Sequence, residues 1–177
     1  MFTKLWKSWV IQSLLLVLIS QLALSQKNPR ATSKLDLDGK FVLIEYGRPA
    51  LKGRDVLAMA EPGKVWRMGA DKSTTFTSNG RISFGKETVP DGAFSLWLKK
   101  TGDNSFLLVF NRKSGQWGTE HEAIDDFATV PMTFSESTEP VEIFTINLKR
   151  GSKANQGEIE LSWGKTLLKA SFTESRR

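Results

Sequence analysis

The sequence predicts an all-β protein, an antiparallel two-sheet sandwich or jelly roll of about nine short strands. Two observations lead to this prediction. Runs of β-branched and aromatic residues recur at close spacing, and turn clusters containing Gly, Pro, Asn or Asp separate them. Between these runs there is no helical pattern long enough to connect parallel strands. A closed β-barrel is the alternative, because the strand pattern does not show whether the sheet closes on itself.

The predicted strands cover residues 41–46, 73–78, 81–84, 93–98, 106–110, 128–134, 141–148, 158–163 and 167–172. Asn79-Gly80 predicts a β-hairpin between the second and the third of them, because both turn residues tolerate positive φ. The two runs that flank residues 101–104 are apolar on both faces, which predicts a central hairpin covered on each side. Pro131 indicates an edge or a bulge, since proline has no N–H for the ladder. Residues 55–60 fit one helical turn.

The first 25 residues have the pattern of an export signal. Two lysines stand near the start, residues 14–19 form an unbroken apolar run, and Ala23-Leu24-Ser25 matches the small-x-small cleavage pattern. Polar residues interrupt the longer apolar segment, whereas a membrane-spanning helix needs about 20 mainly apolar residues. We therefore expect residues 1–25 to be a signal peptide, with cleavage before Gln26 and no stable membrane anchor afterwards. The mature protein is expected in the periplasm or outside the cell.

The remaining chain is expected to form a single domain. Residues 26–34 are polar and read as a flexible linker, and residues 35–177 make up the β-sandwich domain. The absence of cysteine excludes disulfides, a catalytic thiol and a thiolate metal site. The formal net charge is +6, and cations alternate with acids along the chain. This charge pattern indicates solubility rather than nucleic-acid binding.

An arginine cluster is the first candidate site. Arg48, Arg54 and Arg67 lie close together in the sequence, among glycines and prolines. The planar fork of arginine binds carboxylates and phosphates with two parallel hydrogen bonds, so convergence of these side chains would create an anion site. Lys52 would add positive charge, and Trp66 would line the same pocket. The sequence therefore favours a non-enzymatic binding module for an anionic ligand.

A structural role for these arginines is the competing interpretation. Asp71, Glu120, Asp125 and Asp126 are available as internal partners, and ion pairs of this kind commonly hold loops in place. An arginine beside Trp66 could also stack on the indole ring. The two interpretations differ in one observable: whether the guanidinium groups meet in an open cleft or each contact a carboxylate.

The segment that holds the only histidine, His121, is a weaker catalytic candidate. A hydrolase would need His121 to meet Asp125 or Glu120 in a concave site. A zinc site would need at least three ligands, typically with more histidine or cysteine, so no metal and no cofactor are expected. No serine lies in a nucleophile-elbow pattern, and the usual catalytic constellations are absent.

The tryptophans offer a third kind of site. Indole rings exposed on one face of a sandwich stack on sugar rings, which would make a glycan a second possible ligand. Trp97 and Trp163 lie in strong strand patterns and are expected in the core. Trp117, beside a glycine in a polar segment, is expected near the surface and is included in the candidate binding site. A protein partner that adds a strand at an edge near Pro131 is a further alternative.

Several motifs resemble those of a known family. They are Gly47-Arg48-Pro49, Lys52-Gly53-Arg54, Val65-Trp66-Arg67 with Gly69-Ala70, Thr74-Thr75-Phe76, Gly92-Ala93-Phe94-Ser95-Leu96 and Val109-Phe110-Asn111. The likeness extends over about residues 41–172 and is to an uncharacterised family of secreted bacterial proteins, catalogued as domain of unknown function 2911. The resemblance implies a secreted β-rich domain and no activity, substrate or cofactor.

Overall fold

A computed structural model describes residues 28–55 and 59–175. The expected signal peptide, residues 1–25, lies outside these ranges, and the helical turn expected at residues 55–60 falls partly outside them. Among the described residues, no helix is long and apolar enough to cross a membrane.

Ten strands account for most of the described chain. They are β1 (Arg30–Leu37), β2 (Lys40–Gly47), β3 (Val65–Arg67), β4 (Thr74–Ser78), β5 (Ile82–Phe84), β6 (Glu87–Val89), β7 (Gly92–Gly102), β8 (Ser105–Asn111), β9 (Asp126–Arg150) and β10 (Gln156–Glu174). One turn of 3-10 helix, Ala123–Asp125, precedes β9. All the strand pairs are antiparallel.

The strands follow the order β1-β2-β4-β7-β8-β9-β10-β5-β6, and β3 pairs with β7 beside β4. Strand β9 belongs to two ladders: residues 126–132 pair with β8, and residues 133–150 pair with β10. The path therefore folds into two layers at β9. The first layer holds β1, β2, β3, β4, β7 and β8, and the second holds β10, β5 and β6.

Aromatic side chains join the two layers. The ring of Phe84 in β5 lies 5.2 Å from that of Phe110 in β8, and Tyr46 in β2 lies 6.0 Å from Phe144 in β9. Both pairs belong to one continuous apolar core. The sheet does not close, so the prediction of an all-β antiparallel sandwich is confirmed over the closed barrel.

The prediction of a hairpin at Asn79-Gly80 is wrong. Strand β4 pairs with β2 and β7, whereas β5 pairs with β10 and β6, so the turn carries the chain from one layer to the other. The side chain of Asn79 accepts a hydrogen bond from the N–H of Phe41 at 2.7 Å, which ties the turn to the start of β2. The true hairpin joins β5 to β6 across Gly85 and Lys86.

Strand β1 occupies most of the segment expected to be a linker. Residues 30–34, part of the predicted linker 26–34, pair with β2 in unbroken register. Their outward side chains are polar and exposed, as suits the outer strand of the sheet, and only the inward positions approach the core. Because most of these side chains are polar and exposed, composition alone suggested a loose segment.

The second half of the chain has fewer and longer strands than predicted. The runs 128–134 and 141–148 belong to the single strand β9, and 158–163 and 167–172 belong to β10, which continues through Gly164 at a φ of +58°. Register shifts near Gly164 absorb the extra residues of β9. Pro131 lies in the part of β9 that pairs with β8. Among the described residues, no other strand pairs with this part of β9, so its other side is a strand edge.

The central hairpin predicted across residues 101–104 is confirmed. Strands β7 and β8 pair from Ser95 with Asn111 to Gly102 with Ser105. Trp97 in β7 and Trp163 in β10 are each 2% exposed, in agreement with the core position predicted for both.

Candidate functional site

The loop after β2 crosses from the first layer to the second. Its backbone pairs with β9: the N–H of Phe144 donates to the carbonyl of Pro49 at 3.0 Å, and the N–H of Leu51 donates to the carbonyl of Glu142 at 2.7 Å. The Glu142 carboxylate accepts a further hydrogen bond from the backbone N–H of Lys52 at 3.0 Å. These contacts fix the arginine-containing loop across the open end of the sandwich.

A second loop, residues 68–73, packs directly on the end of β2. Gly69 has a φ of +98° and its backbone touches that of Gly47. Because neither residue has a Cβ, the motifs around Arg48 and Arg67 can meet although about 20 residues separate them in the sequence.

Two tryptophans form an apolar wall beside these loops. Trp66 in β3 is partly buried and stacks on Trp163 in β10, with ring centroids 6.0 Å apart and an interplanar angle of 15°. The indole N–H of Trp163 donates to the carbonyl of Glu142 at 3.2 Å. The pair therefore joins the two layers and is held on the same stretch of β9 as the first loop.

The two loops and the tryptophan pair enclose a cleft of about 390 Å³, here called the cationic cleft. Its lining consists of Asn28, Pro49, Ala50, Lys52, Arg54, Met59, Trp66, Arg67, Gly69, Ala70 and Trp163. A volume of this order is at the lower end of the range for small-molecule sites.

Among residues 28–55 and 59–175, the lining of the cationic cleft has three cations, Lys52, Arg54 and Arg67, and neither an acid nor a histidine. Three other clefts of the described chain mix both signs of charge. The one beside Asn79, for example, contains three carboxylates with one lysine and one arginine. Cations facing low-dielectric walls without a compensating acid raise the local positive potential. The arrangement favours an anionic ligand.

Arg54 is held by its own loop. Its Nε donates to the carbonyl of Leu51 at 2.9 Å and one Nη donates to the carbonyl of Ala50 at 2.5 Å. The guanidinium also lies over the ring of Trp163, 5.4 Å from the centroid. Guanidinium carries five N–H groups, so donors remain for a ligand after these bonds are made.

Arg67 is exposed, and the methylenes of its side chain run past Gly118. Across residues 28–55 and 59–175, no carboxylate forms an ion pair with Arg48, Arg54 or Arg67. Two of the acids proposed as internal partners have other contacts. Asp71 accepts a hydrogen bond from the N–H of Asn28 at 3.1 Å, and Asp126 contacts His121.

Four of the six predicted site residues line the cationic cleft, and two do not. Lys52, Arg54, Trp66 and Arg67 belong to its lining, whereas Arg48 and Trp117 are not part of it. The Nε of Arg48 is buried and has no hydrogen-bond partner in the described chain. Trp117 is 44% exposed, as expected for a surface position, on a segment that forms a β-bridge with Lys72.

His121 is not part of the lining of the cationic cleft. Its Nε2 is 2.8 Å from a carboxylate oxygen of Asp126, and its ring packs against Trp97 with centroids 5.0 Å apart. Glu120 instead contacts the backbone N–H of Trp117 at 3.4 Å. Among the described residues, no three of His, Asp or Glu are placed to hold a metal ion.

A buried polar cluster supports the loop next to His121. The hydroxyl of Ser95 donates to the carbonyl of Lys113 at 2.7 Å and accepts from the indole N–H of Trp97 at 2.8 Å and from the amide of Gln116 at 3.0 Å. The backbone carbonyl of Gln116 accepts a hydrogen bond from the backbone N–H of Ser73. This bond anchors the loop of residues 68–73. This cluster is a framework that positions one wall of the cationic cleft.

A second cleft of about 330 Å³, here called the side cleft, adjoins the first. It is lined by Leu51, Arg54, Asp55, Phe134, Glu136, Pro140, Gly164, Lys165 and Thr166. Arg54 lines both clefts. Ala50 and Trp163 line the cationic cleft, whereas their neighbours Leu51 and Gly164 line the side cleft. The two clefts therefore lie on either side of the same loop.

Seven lining residues were not among the predicted site residues: Asn28, Pro49, Ala50, Met59, Gly69, Ala70 and Trp163. Trp163 was predicted for the core, and it is indeed buried while one part of it forms the wall of the cleft. No local signal in the sequence links a residue of β10 to the arginine loop, because their contact depends on the fold of the sheet at β9.

The family match spans all the described residues that line the cationic cleft. The family described as "Protein of unknown function (DUF2911)" matches residues 28–172, which include every described strand except the end of β10. Comparison with curated proteins gives no match, and neither does comparison with solved structures. The chain belongs to the DUF2911 family of proteins of unknown function.

Proposed function

We propose that the protein is an exported, non-enzymatic binding module that takes a carboxylate- or phosphate-bearing ligand in the cationic cleft. The observation that carries the proposal is the lining of that cleft, in which the described residues include Lys52, Arg54 and Arg67 and no acid. The partly buried ring of Trp66 adds an apolar surface next to these charges. Together they suit a ligand with an anionic group beside a flat apolar face.

Among the described residues, the lining lacks the commonest acid–base groups, histidine and carboxylate, which favours binding over catalysis. General acid–base chemistry needs a group such as histidine or a carboxylate within hydrogen-bond reach of the reacting atom. The described lining contains neither, and His121 packs against Trp97 outside it. The hydrolase alternative therefore has no support from the cationic cleft.

Calorimetric titration of the purified protein with galacturonate, benzoate and inorganic phosphate tests the proposal. We expect one-to-one binding of at least one of these anions, weakened by added salt because charge attraction is screened. The variant Arg67→Gln should weaken binding about tenfold or more, as charge-assisted hydrogen bonds are among the stronger polar contacts.

Arg81→Gln is the matched control, since it removes the same charge from an exposed arginine in a cleft that contains carboxylates. It should leave the affinity unchanged. Equal losses in the two variants would mean that net charge, not the cationic cleft, attracts the anions. Failure of all three anions to bind would overturn the proposal.

A further inference from the structure

The two clefts share one lining residue, Arg54. The loop of residues 50–54 lies between them: Ala50 and Lys52 line the cationic cleft, Leu51 lines the side cleft, and Arg54 lines both. A ligand that fills only the cationic cleft would leave the side cleft, about 330 Å³, unused. The shared arginine is placed to contact a molecule that crosses from one to the other.

Each cleft pairs an aromatic ring with a cation. In the cationic cleft these are Trp66 and Arg67. In the side cleft they are Phe134, which is partly buried and stacked on Phe106 with centroids 6.2 Å apart, and Lys165, which is exposed. Aromatic faces pack against the apolar face of a ring, and cations bind its acidic substituent. The pattern occurs twice, on the two sides of Arg54.

The side cleft also has acceptors. Asp55 and Glu136 line it, and the exposed carboxylate of Glu136 can accept hydrogen bonds from hydroxyl groups. Such an acceptor disfavours a ligand made only of anionic groups, because like charges repel. A chain of hydroxylated rings with spaced carboxylates satisfies cations, aromatic faces and acceptor together.

We propose that the ligand is an oligosaccharide bearing carboxylates, at least two sugar rings long, that lies across Arg54 with one ring in each cleft. This inference rests on the proposed binding of anions in the cationic cleft and adds the length and chemical class of the ligand. Linking two modest subsites through one ligand raises affinity without any new kind of contact.

Calorimetry with galacturonate and its dimer, trimer and tetramer tests the inference. We expect affinity to rise about tenfold or more from monomer to trimer as the side cleft is filled. Lys165→Gln should remove most of that gain, lowering the ratio of trimer to monomer affinity about three- to tenfold. Lys86→Gln, which removes an exposed lysine from the turn between β5 and β6, is the matched control and should change neither affinity.

Neutral cello-oligosaccharides and tripolyphosphate separate the two requirements of the ligand. Both should bind more weakly than the galacturonate trimer, because one lacks the carboxylates and the other lacks the rings. Equal affinity for monomer and trimer, with binding retained, would overturn the two-cleft ligand and leave anion binding intact. Tight binding of tripolyphosphate with the same length dependence would overturn the sugar class.

Discussion

The backbones of Gly47 and Gly69 are in contact, although one ends β2 and the other lies in the loop after β3. A Cβ built on Gly69 would lie 2.5 Å from the carbonyl oxygen of Gly47, well inside van der Waals contact. A Cβ on Gly47 would collide with the carbonyl of Ala70 in the same way. This contact brings two loops that line the cationic cleft together, so the shape of the cleft depends on two missing side chains.

Gly47→Ala should therefore destabilise the fold by about 2 kcal/mol or more, because backbone atoms on both sides must shift to admit the methyl group. Urea unfolding measures the loss. Gly102→Ala is the control, since a Cβ there meets the Ser105 side chain at an ordinary 3.5 Å and should change stability by less than about 1 kcal/mol. Equal stability of the two variants would show that the contact is not tight.

Ser95→Ala should lower the free energy of unfolding by about 2–3 kcal/mol. The substitution leaves the indole N–H of Trp97 and the amide of Gln116 without their acceptor in a buried site, and unpaired buried donors carry a desolvation cost. Ser114→Ala, at an exposed position, should have almost no effect. A neutral Ser95→Ala variant would mean that the polar cluster does not hold this wall of the cleft.

Glu160 should make the fold sensitive to acid. Burial raises the pKa of its carboxyl, but hydrogen bonds from Lys149 and Lys169 and the charges of these lysines more than offset that, so the folded-state pKa is lowered. A group with a lowered folded pKa stabilises the protein above its unfolded pKa of about 4.3, and the contribution is lost as pH falls through the folded value.

Glu160→Gln should accordingly cost about 1 kcal/mol at pH 7 and less at pH 3, as followed by urea midpoints. Glu45→Gln, at an exposed position that forms no ion pair with another described residue, is the control and should show no such difference. An equal cost at both pH values would show that the carboxylate charge is not what stabilises this site.

Trp66 and Trp117 should behave differently in ligand binding. Trp66→Ala removes one wall of the cationic cleft and should weaken galacturonate binding about tenfold, whereas Trp117→Ala, outside the lining, should not weaken it. Both affinities come from calorimetric titration, with unfolding curves to confirm that each variant is folded. A larger loss in the Trp117 variant would place the ligand elsewhere on the protein.

The strands whose pattern is set by local sequence could be predicted, and those set by distant contacts could not. Strands β7 and β8 are apolar on both faces and pair across a short turn, so their positions follow from the sequence alone. Strand β1 is polar on its exposed face, and β3 and β6 have three residues each, which is too short for a pattern. The hairpin expected at Asn79-Gly80 failed because pairing with β2 and β7 on one side, and with β10 on the other, overrides the preference of the turn.

The candidate site was predictable in part for the same reason. Lys52, Arg54, Trp66 and Arg67 lie close in sequence and share one cleft, as their spacing suggested. Trp163 joins them only because β9 passes from one layer to the other and brings β10 over the arginine loop. Arg48 was predicted as a binding group from its residue type. It does not line the cleft, because the path of the backbone after β2 directs it elsewhere, and the sequence does not show that path.

The indole N–H resonances in an NMR titration with galacturonate test the location of the ligand most directly. The described chain has four tryptophans, two lining the cationic cleft and two outside it. We expect shifts of the Trp66 and Trp163 signals that saturate together and are abolished by Arg67→Gln, while the Trp97 and Trp117 signals stay in place. Shifts confined to Trp117 or Trp97, or unchanged shifts in the Arg67→Gln variant, would contradict a ligand site in the cationic cleft.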